Sequence, residues 1–227
     1  MFDGTLHIAG DGFPEWAVWL LWASLILLAV VRQVFNERWK MMNWVVTDYR
    51  LVSQRYRQGN IVFDMGWVLV FIAALIFAVL GLGQSLARLA NAQFDLALAI
   101  RLAWAWALLW AVRSLFLQAV SEISEGALPA REYSASHFLT GQIFALLSAP
   151  FGILSWFVAE SASAHAEFWA NGLAWICVAM WIAGWLLRIS RIAWLVPEAL
   201  SRPFLVIAYL CGLELLPVLV LLKAWTW

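Results

Sequence analysis

Seven side chains in this sequence could do chemistry in apolar surroundings: Glu214, Arg113, Arg188, Glu132, Tyr133, His137 and Gln142. Glu214 lies near the middle of the run Pro203–Lys223, PFLVIAYLCGLELLPVLVLLK. About 20 apolar residues, rising 1.5 Å each, cross a hydrocarbon layer roughly 30 Å thick. A carboxylate at the centre of such a helix costs on the order of 2.5–3.5 kcal/mol to insert, so it should face protein, water or a counter-charge. Pro217 has no N–H, which leaves the Leu213 carbonyl as a free acceptor beside that acid. The cations that match Glu214 are Arg113 and Arg188, unless their long stems carry the guanidinium to the headgroups. Three roles suit the acid. It could be a structural ion pair or hydrogen-bonded acid that fixes helix register, a proton carrier, or part of a substrate site.

Glu132, Tyr133 and His137 form a second polar group at the start of another apolar run, with Gln142 further in and Glu122 and Glu125 nearby in sequence. Ser134 or Ser136 could cap a helix there, and capping or loop anchoring accounts for these residues as economically as a pocket does. His137 as a metal or haem ligand needs partners. The other histidines, His7 and His165, are predicted on the opposite side of the membrane, so no metal site and no cofactor is expected. The sequence lacks HExxH, a P-loop, GxSxG and a Gly-rich dinucleotide motif, which leans away from an enzyme.

The elements that must position these groups are helices in a bilayer. The chain has 227 residues, 65% hydrophobic and 12% charged, against about 25% charged in a soluble domain. With several long apolar runs, that composition predicts an all-α polytopic membrane protein, one domain over residues 1–227. Formal net charge is zero, which argues against a nucleic-acid partner. Cys177 and Cys211 both fall in apolar runs and are expected to be inert buried thiols. The acidic start (Asp3, Asp11, Glu15) lacks the basic flank of a signal peptide, so the first apolar run is expected to be a retained helix.

Six spans are predicted: Trp16–Val31, Gly66–Gly83, Leu98–Gln118, His137–Val158, Asn171–Ile189 and Pro203–Lys223. Arg32, Arg38, Lys40, Arg50, Arg55 and Arg57 crowd the first connection. Arg131, Arg191 and Arg202 share its side, while Arg88, Arg101 and Lys223 oppose it. That bias predicts a cytoplasmic first loop and both termini periplasmic, in a bacterial inner membrane. Within that loop, Trp39, Met42, Val46, Tyr49 and Tyr56 recur at helical spacing between basic residues. They predict an amphipathic interfacial helix over Asn36–Gln58, packed on its own bundle or offered to membrane lipids or a protein partner.

Small residues predict helix contacts: Ala99, Ala103, Ala107 and Ala111 in the third span, Ala74 and Ala78 in the second, Ala179 and Ala183 in the fifth. Most of the 17 tryptophans fall near span ends, where an interfacial belt is expected; Trp106, Trp110 and Trp181 lie deeper.

The closing stretch YLCGLELLPVLVLLK (Tyr209–Lys223) resembles the C-terminal signature of a six-helix inner-membrane family of Bacteroidota, a domain of unknown function that typically ends in LCTLEILPL and a basic residue. The matching positions are Tyr209, Cys211, Glu214, Pro217 and, more loosely, Lys223; Gly212 stands where Thr is common. Glu132–Tyr133 ahead of an aromatic-rich span containing Pro150 also resembles the family's order of features. Members of that family are sometimes encoded beside or fused to uroporphyrinogen-III synthase, and near polyprenol-phosphate mannose synthases. The first neighbour implies a tetrapyrrole link, which three histidines do not support. The second implies a lipid-linked sugar. The expected function is therefore a non-catalytic inner-membrane scaffold or accessory subunit of a cell-envelope protein complex. The alternatives are a transporter or flippase for an anionic or polyprenyl-phosphate-linked substrate using Glu214, Arg113 and Arg188, and, more weakly, a transferase built on Glu132 and His137.

Overall fold

The computed structural model describes residues 14–47, 51, 52, 54, 65–123, 130–161 and 165–195. In chain order the helices are α1 Glu15–Val34, α2 Asn36–Thr47, α3 Met65–Leu89, α4 Leu96–Ile123, α5 Ala130–Ala159 and α6 Ala166–Leu195. All but α2 are long and apolar enough to cross a membrane, so five of the six expected spans are present. The sixth, with Tyr209, Cys211, Glu214, Pro217 and Lys223, lies outside the described residues. The end of the bundle beside α2 is called inner below, and the opposite end outer.

Local chemistry sets the helix boundaries. α1 and α2 are separated by Phe35 alone, whose N–H donates to the Val31 carbonyl (2.9 Å) and whose carbonyl accepts from Arg38 (2.8 Å). The Phe35 ring rests on Gly66; a Cβ there would come within 2.8 Å of Phe35 Cγ, so the glycine lets the α1–α2 corner sit on the start of α3. At the outer end of α3, Asn91 adopts a left-handed φ of 53° and the Ala92 N–H reaches back to the Ala87 carbonyl (2.8 Å). That six-to-one bond closes the helix, and asparagine tolerates the conformation it needs. Asp95 then caps α4, accepting from the Leu98 N–H at 2.7 Å, which starts the helix two residues before the expected span.

The core is the α3–α5–α6 group. In α3, 56% of the most apolar stretch is buried, against 11% in α4 and 17% in α1, which flank it. α3 carries a π turn at Val79–Gly83, and α5 carries Pro150. The two irregularities meet. A Cβ on Gly152 would lie 2.2 Å from the Gly81 carbonyl oxygen, and one on Gly81 would lie 2.6 Å from the Ala149 Cα, so α3 and α5 touch backbone to backbone. Ser85, Ser148 and Ser155 are buried around this crossing and donate to carbonyls of their own helices, Gly81, Ala145 and Gly152. This keeps their hydroxyls satisfied without a neighbour. The Cys177 thiol of α6 lies against Ser85 and Ser148, fully buried as expected.

Small residues do mark the contacts, with one change. Ala74 and Ala78 are buried with Ala145, Cys177 and Trp181, and Ala99 is buried with Ala103 packed beside it. In α6, however, Ala179 and Ala183 are exposed. Its buried ridge is Ala166, Ala170, Ala174, Cys177, Trp181 and Gly184. The sequence offers both small-residue series, and the choice falls to the face that α3 and α5 leave open to α6. Trp106 and Trp181 meet edge to face at 4.8 Å, so these deep tryptophans pack against each other.

Candidate functional site: a buried polar layer in the inner half

An aromatic box joins α3, α4 and α5 toward their inner ends. Phe71 stacks on Phe138 (5.8 Å, 19°), and Trp110 lies 5.2 Å from Phe71 and 5.3 Å from Phe138. Trp67 meets Phe138 edge-on at 6.3 Å, and the Arg38 guanidinium sits 5.3 Å over the Trp67 ring. That last contact pins α2 to the bundle. Met41, Met42 and Val45 of α2 are buried in the same cluster as Val31, Val70 and Leu139. The helix thus turns apolar residues into its own bundle and leaves Glu37, Lys40, Asn43 and Thr47 exposed. Beyond Thr47 only residues 51, 52 and 54 are described, so the rest of the expected Asn36–Gln58 helix, with Tyr49 and Tyr56, lies outside them.

Four buried polar side chains lie in the inner halves of three helices: Arg113 of α4, Thr140 and Gln142 of α5, and Arg188 of α6. Arg113 follows Trp110 by three residues and so shares its face of α4. At 1.5 Å per residue, Arg113 lies about 15 Å from the inner end of α4, Gln142 about 18 Å from that of α5 and Arg188 about 10 Å from that of α6.

Arg188 does not snorkel toward the nearer, inner end. Its Nε donates to the Gly184 carbonyl at 3.1 Å, one turn deeper, and Nη1 lies 3.9 Å from where a Gly141 Cβ would be. Gly184 also lets the Phe144 ring of α5 pack close, since a Cβ there would lie 2.5 Å from Phe144 Cγ. A buried guanidinium in low dielectric is costly unless neutralised and hydrogen-bonded. Among the described side chains, no carboxylate is buried.

Gln142 is 4% exposed, and neither atom of its side-chain amide has a hydrogen-bond partner among the described residues. The indole N–H of Trp181 and that of Trp185 are in the same condition. Buried amides without partners are rare because desolvation costs on the order of 1–3 kcal/mol. The inner halves of α5 and α6 therefore hold unused hydrogen-bonding groups.

Of the expected site residues, Arg113 and Arg188 are buried. Glu132, Tyr133 and His137 lie on the first turns of α5, but their side chains are outside the described residues, as is Glu214 altogether. Gln142 gains weight beyond its sequence signal, since a glutamine three residues after Leu139 on a buried face was visible but its missing partners were not. Among the described residues no group of three or more His, Cys, Asp or Glu is arranged to hold a metal ion. No family model, curated protein or solved structure matches the chain.

Proposed function

We propose that this chain is a non-catalytic integral protein of a bacterial inner membrane, a scaffold or accessory subunit of a cell-envelope complex, with α2 as its cytoplasmic contact surface. The observation that supports this is how the polar layer is built. Arg188 is bonded to the Gly184 carbonyl, where α6 packs closely on Phe144 of α5. The neighbouring α3–α5 crossing is closed by backbone against backbone at Gly81 and Gly152. Groups locked this way hold helices in fixed register, as a platform requires. α2 fits the role because its apolar side is used internally while Lys40, Asn43 and Thr47 remain outside. The arginine bias of the loops puts this surface in the cytoplasm and the termini in the periplasm, and the resemblance of Tyr209–Lys223 to the Bacteroidota family supports the same compartment.

The test is affinity isolation in mild detergent, comparing the wild type with Lys40→Glu/Asn43→Glu. A stoichiometric protein partner that the double variant loses is expected. A chain that purifies alone from native membranes, with and without prior crosslinking, refutes the reading.

One observation favours a second reading, in which the layer binds an anionic or polyprenyl-phosphate-linked substrate for transport. The side-chain amide of Gln142 on α5 and the indole N–H groups of Trp181 and Trp185 on α6 have no hydrogen-bond partner among the described residues. Such donors suit an oxyanion. Under this reading Gln142→Leu abolishes substrate movement into proteoliposomes with folding intact, whereas the scaffold reading expects no movement to lose.

A further inference from the structure

We infer that α3–α4 and α5–α6 are two copies of one helical hairpin, and that they part at their inner ends about the Gly81–Gly152 contact to open a donor-lined cleft for an oxyanion. The inference rests on the transport reading and gives it a route to the site. Three observations carry it.

The first is a repeat. Residues 74–81 (ALIFAVLG) of α3 and 145–152 (ALLSAPFG) of α5 share Ala-xxx-Ala-xx-Gly. Residues 106–113 (WALLWAVR) of α4 and 181–188 (WIAGWLLR) of α6 share Trp-xxx-Trp-xx-Arg. Matching positions meet in space. Gly81 touches Gly152, Trp67 meets Phe138 at the same offset, and Trp106 meets Trp181. Two parallel copies facing each other across an axis along the membrane normal bring like residues together in this way.

The second is where the copies bend. The π turn starts at Val79, and the matching residue of α5 is Pro150, which leaves the Leu146 carbonyl without its helical donor. Both breaks lie beside the Gly81–Gly152 contact. Outward of it α6 packs closely on Gln84–Leu89 of α3, and inward of it the approach of α6 to Met65–Ala78 is looser. Helices broken at one level and held together on its outer side can hinge on its inner side.

The third is what the inner seam encloses. Gln142 matches Phe71, so the second copy has an amide where the first has a ring. That amide and the indole nitrogens of Trp181 and Trp185 are sealed from solvent and unpartnered among the described residues. Trp181 clusters with Ala145, one turn outward of Gln142 on the same face of α5. One turn inward is Phe138, whose packing with Phe71 and Trp110 closes the seam toward the inner surface. With the seam closed these groups forgo hydrogen bonds that water or a ligand would supply. Their N–H donors outnumber the single acceptor, Gln142 Oε1, which suits an oxyanion and not a cation. The outer half is different. Gln84 and Arg88 carry one unpartnered buried atom each, and both lie within two turns of the end of α3.

The test is thiol labelling of the full-length chain in membrane vesicles, in a Cys177→Ala/Cys211→Ala background. Gln142→Cys is treated from each side with a sulfonate and with a trimethylammonium methanethiosulfonate. Ala145→Cys repeats the measurement where the change in size is small. Exposed Ser190→Cys, near the inner end of α6, identifies the inner side and normalises the rate of each reagent, and exposed Leu108→Cys on α4 gives the floor. Both probes are expected to label above that floor from the side that labels Ser190→Cys. After normalisation the sulfonate should be favoured by about tenfold, the low end of charge focusing in a cleft. Probes as inert as Leu108→Cys from both sides overturn the opening, and labelling from the outer side alone overturns the hinge. Equal rates, or a preference for the trimethylammonium reagent, overturn the oxyanion cleft. The assay contains no substrate, so its failure and the failure of transport in proteoliposomes are separate results.

Discussion

Adding one methyl group at Gly152 should damage this protein more than most larger changes elsewhere. An alanine Cβ would lie 2.2 Å from the Gly81 carbonyl oxygen and 2.6 Å from the Gly81 carbonyl carbon. Since C···O contacts settle near 3.3–3.6 Å, α3 and α5 would have to separate by about 1 Å. Both contacted atoms are backbone, within a π turn already anchored by the Ser85 hydroxyl, so no side chain can rotate away. Overpacking typically costs 1–3 kcal/mol, and this geometry puts Gly152→Ala at about 3 kcal/mol. For a chain of this size that is a fall of roughly 6–12 °C in midpoint. Two controls calibrate it. Gly184→Ala meets the Phe144 ring at 2.5 Å, a side chain that can shift, so about 1–2 kcal/mol is expected. Gly172→Ala meets nothing within 4 Å and gains helix propensity, so it should be neutral or stabilising by up to about 1 kcal/mol. Thermal unfolding in one detergent, followed by tryptophan fluorescence and by loss of the monodisperse species, should rank the loss Gly152 > Gly184 > Gly172. If Gly152→Ala melts with Gly172→Ala, the backbone crossing does not exist and the core described above is wrong.

Three further outcomes follow from particular contacts. Trp106→Leu and Trp181→Leu should show a coupling of about 1 kcal/mol in a double-mutant cycle, because the rings meet edge to face at 4.8 Å; additive effects would remove that pair. Arg38→Gln should cost about 0.5–2 kcal/mol through the lost contact over Trp67 and should raise protease cutting near α2, with Arg38→Lys in between; equal cutting in all three would count against a pinned α2. Deleting Leu82 should convert the π turn to regular α-helix with Gln84–Leu89 kept near their present faces, since five residues at about 82° turn as far as four at about 100°, but it should lose the widened turn through which the Gly81 carbonyl meets Gly152. Loss of folded protein is expected, measured as yield of the monodisperse species, and normal yield would show that the turn is incidental.

What the sequence determined by itself is the medium and the repeat of the fold. Long apolar runs in a chain with 12% charge have few stable solutions other than membrane helices, because backbone amides in hydrocarbon must bond within the segment. Five of the expected spans appear, as helices that run past the expected ends; Asp95, Asn91 and Phe35 set three of those ends by local hydrogen bonding. Arg113 and Arg188 stood out as intramembrane charges for the same reason, a charge being conspicuous in apolar sequence. Tertiary structure alone decided which faces of the helices met. Ala179–Ala183 and Ala170–Ala174 look alike in sequence, yet only the second pair is buried. The π turn has no sequence mark beyond two glycines, because its register is imposed by the helix crossing it. The inward fold of Arg188 onto the Gly184 carbonyl, and the missing partners of Gln142 among the described residues, depend on the helices packed around them. Hydropathy is a property of each residue and its near neighbours in the chain, whereas the aim of a buried side chain is a property of what surrounds it in space.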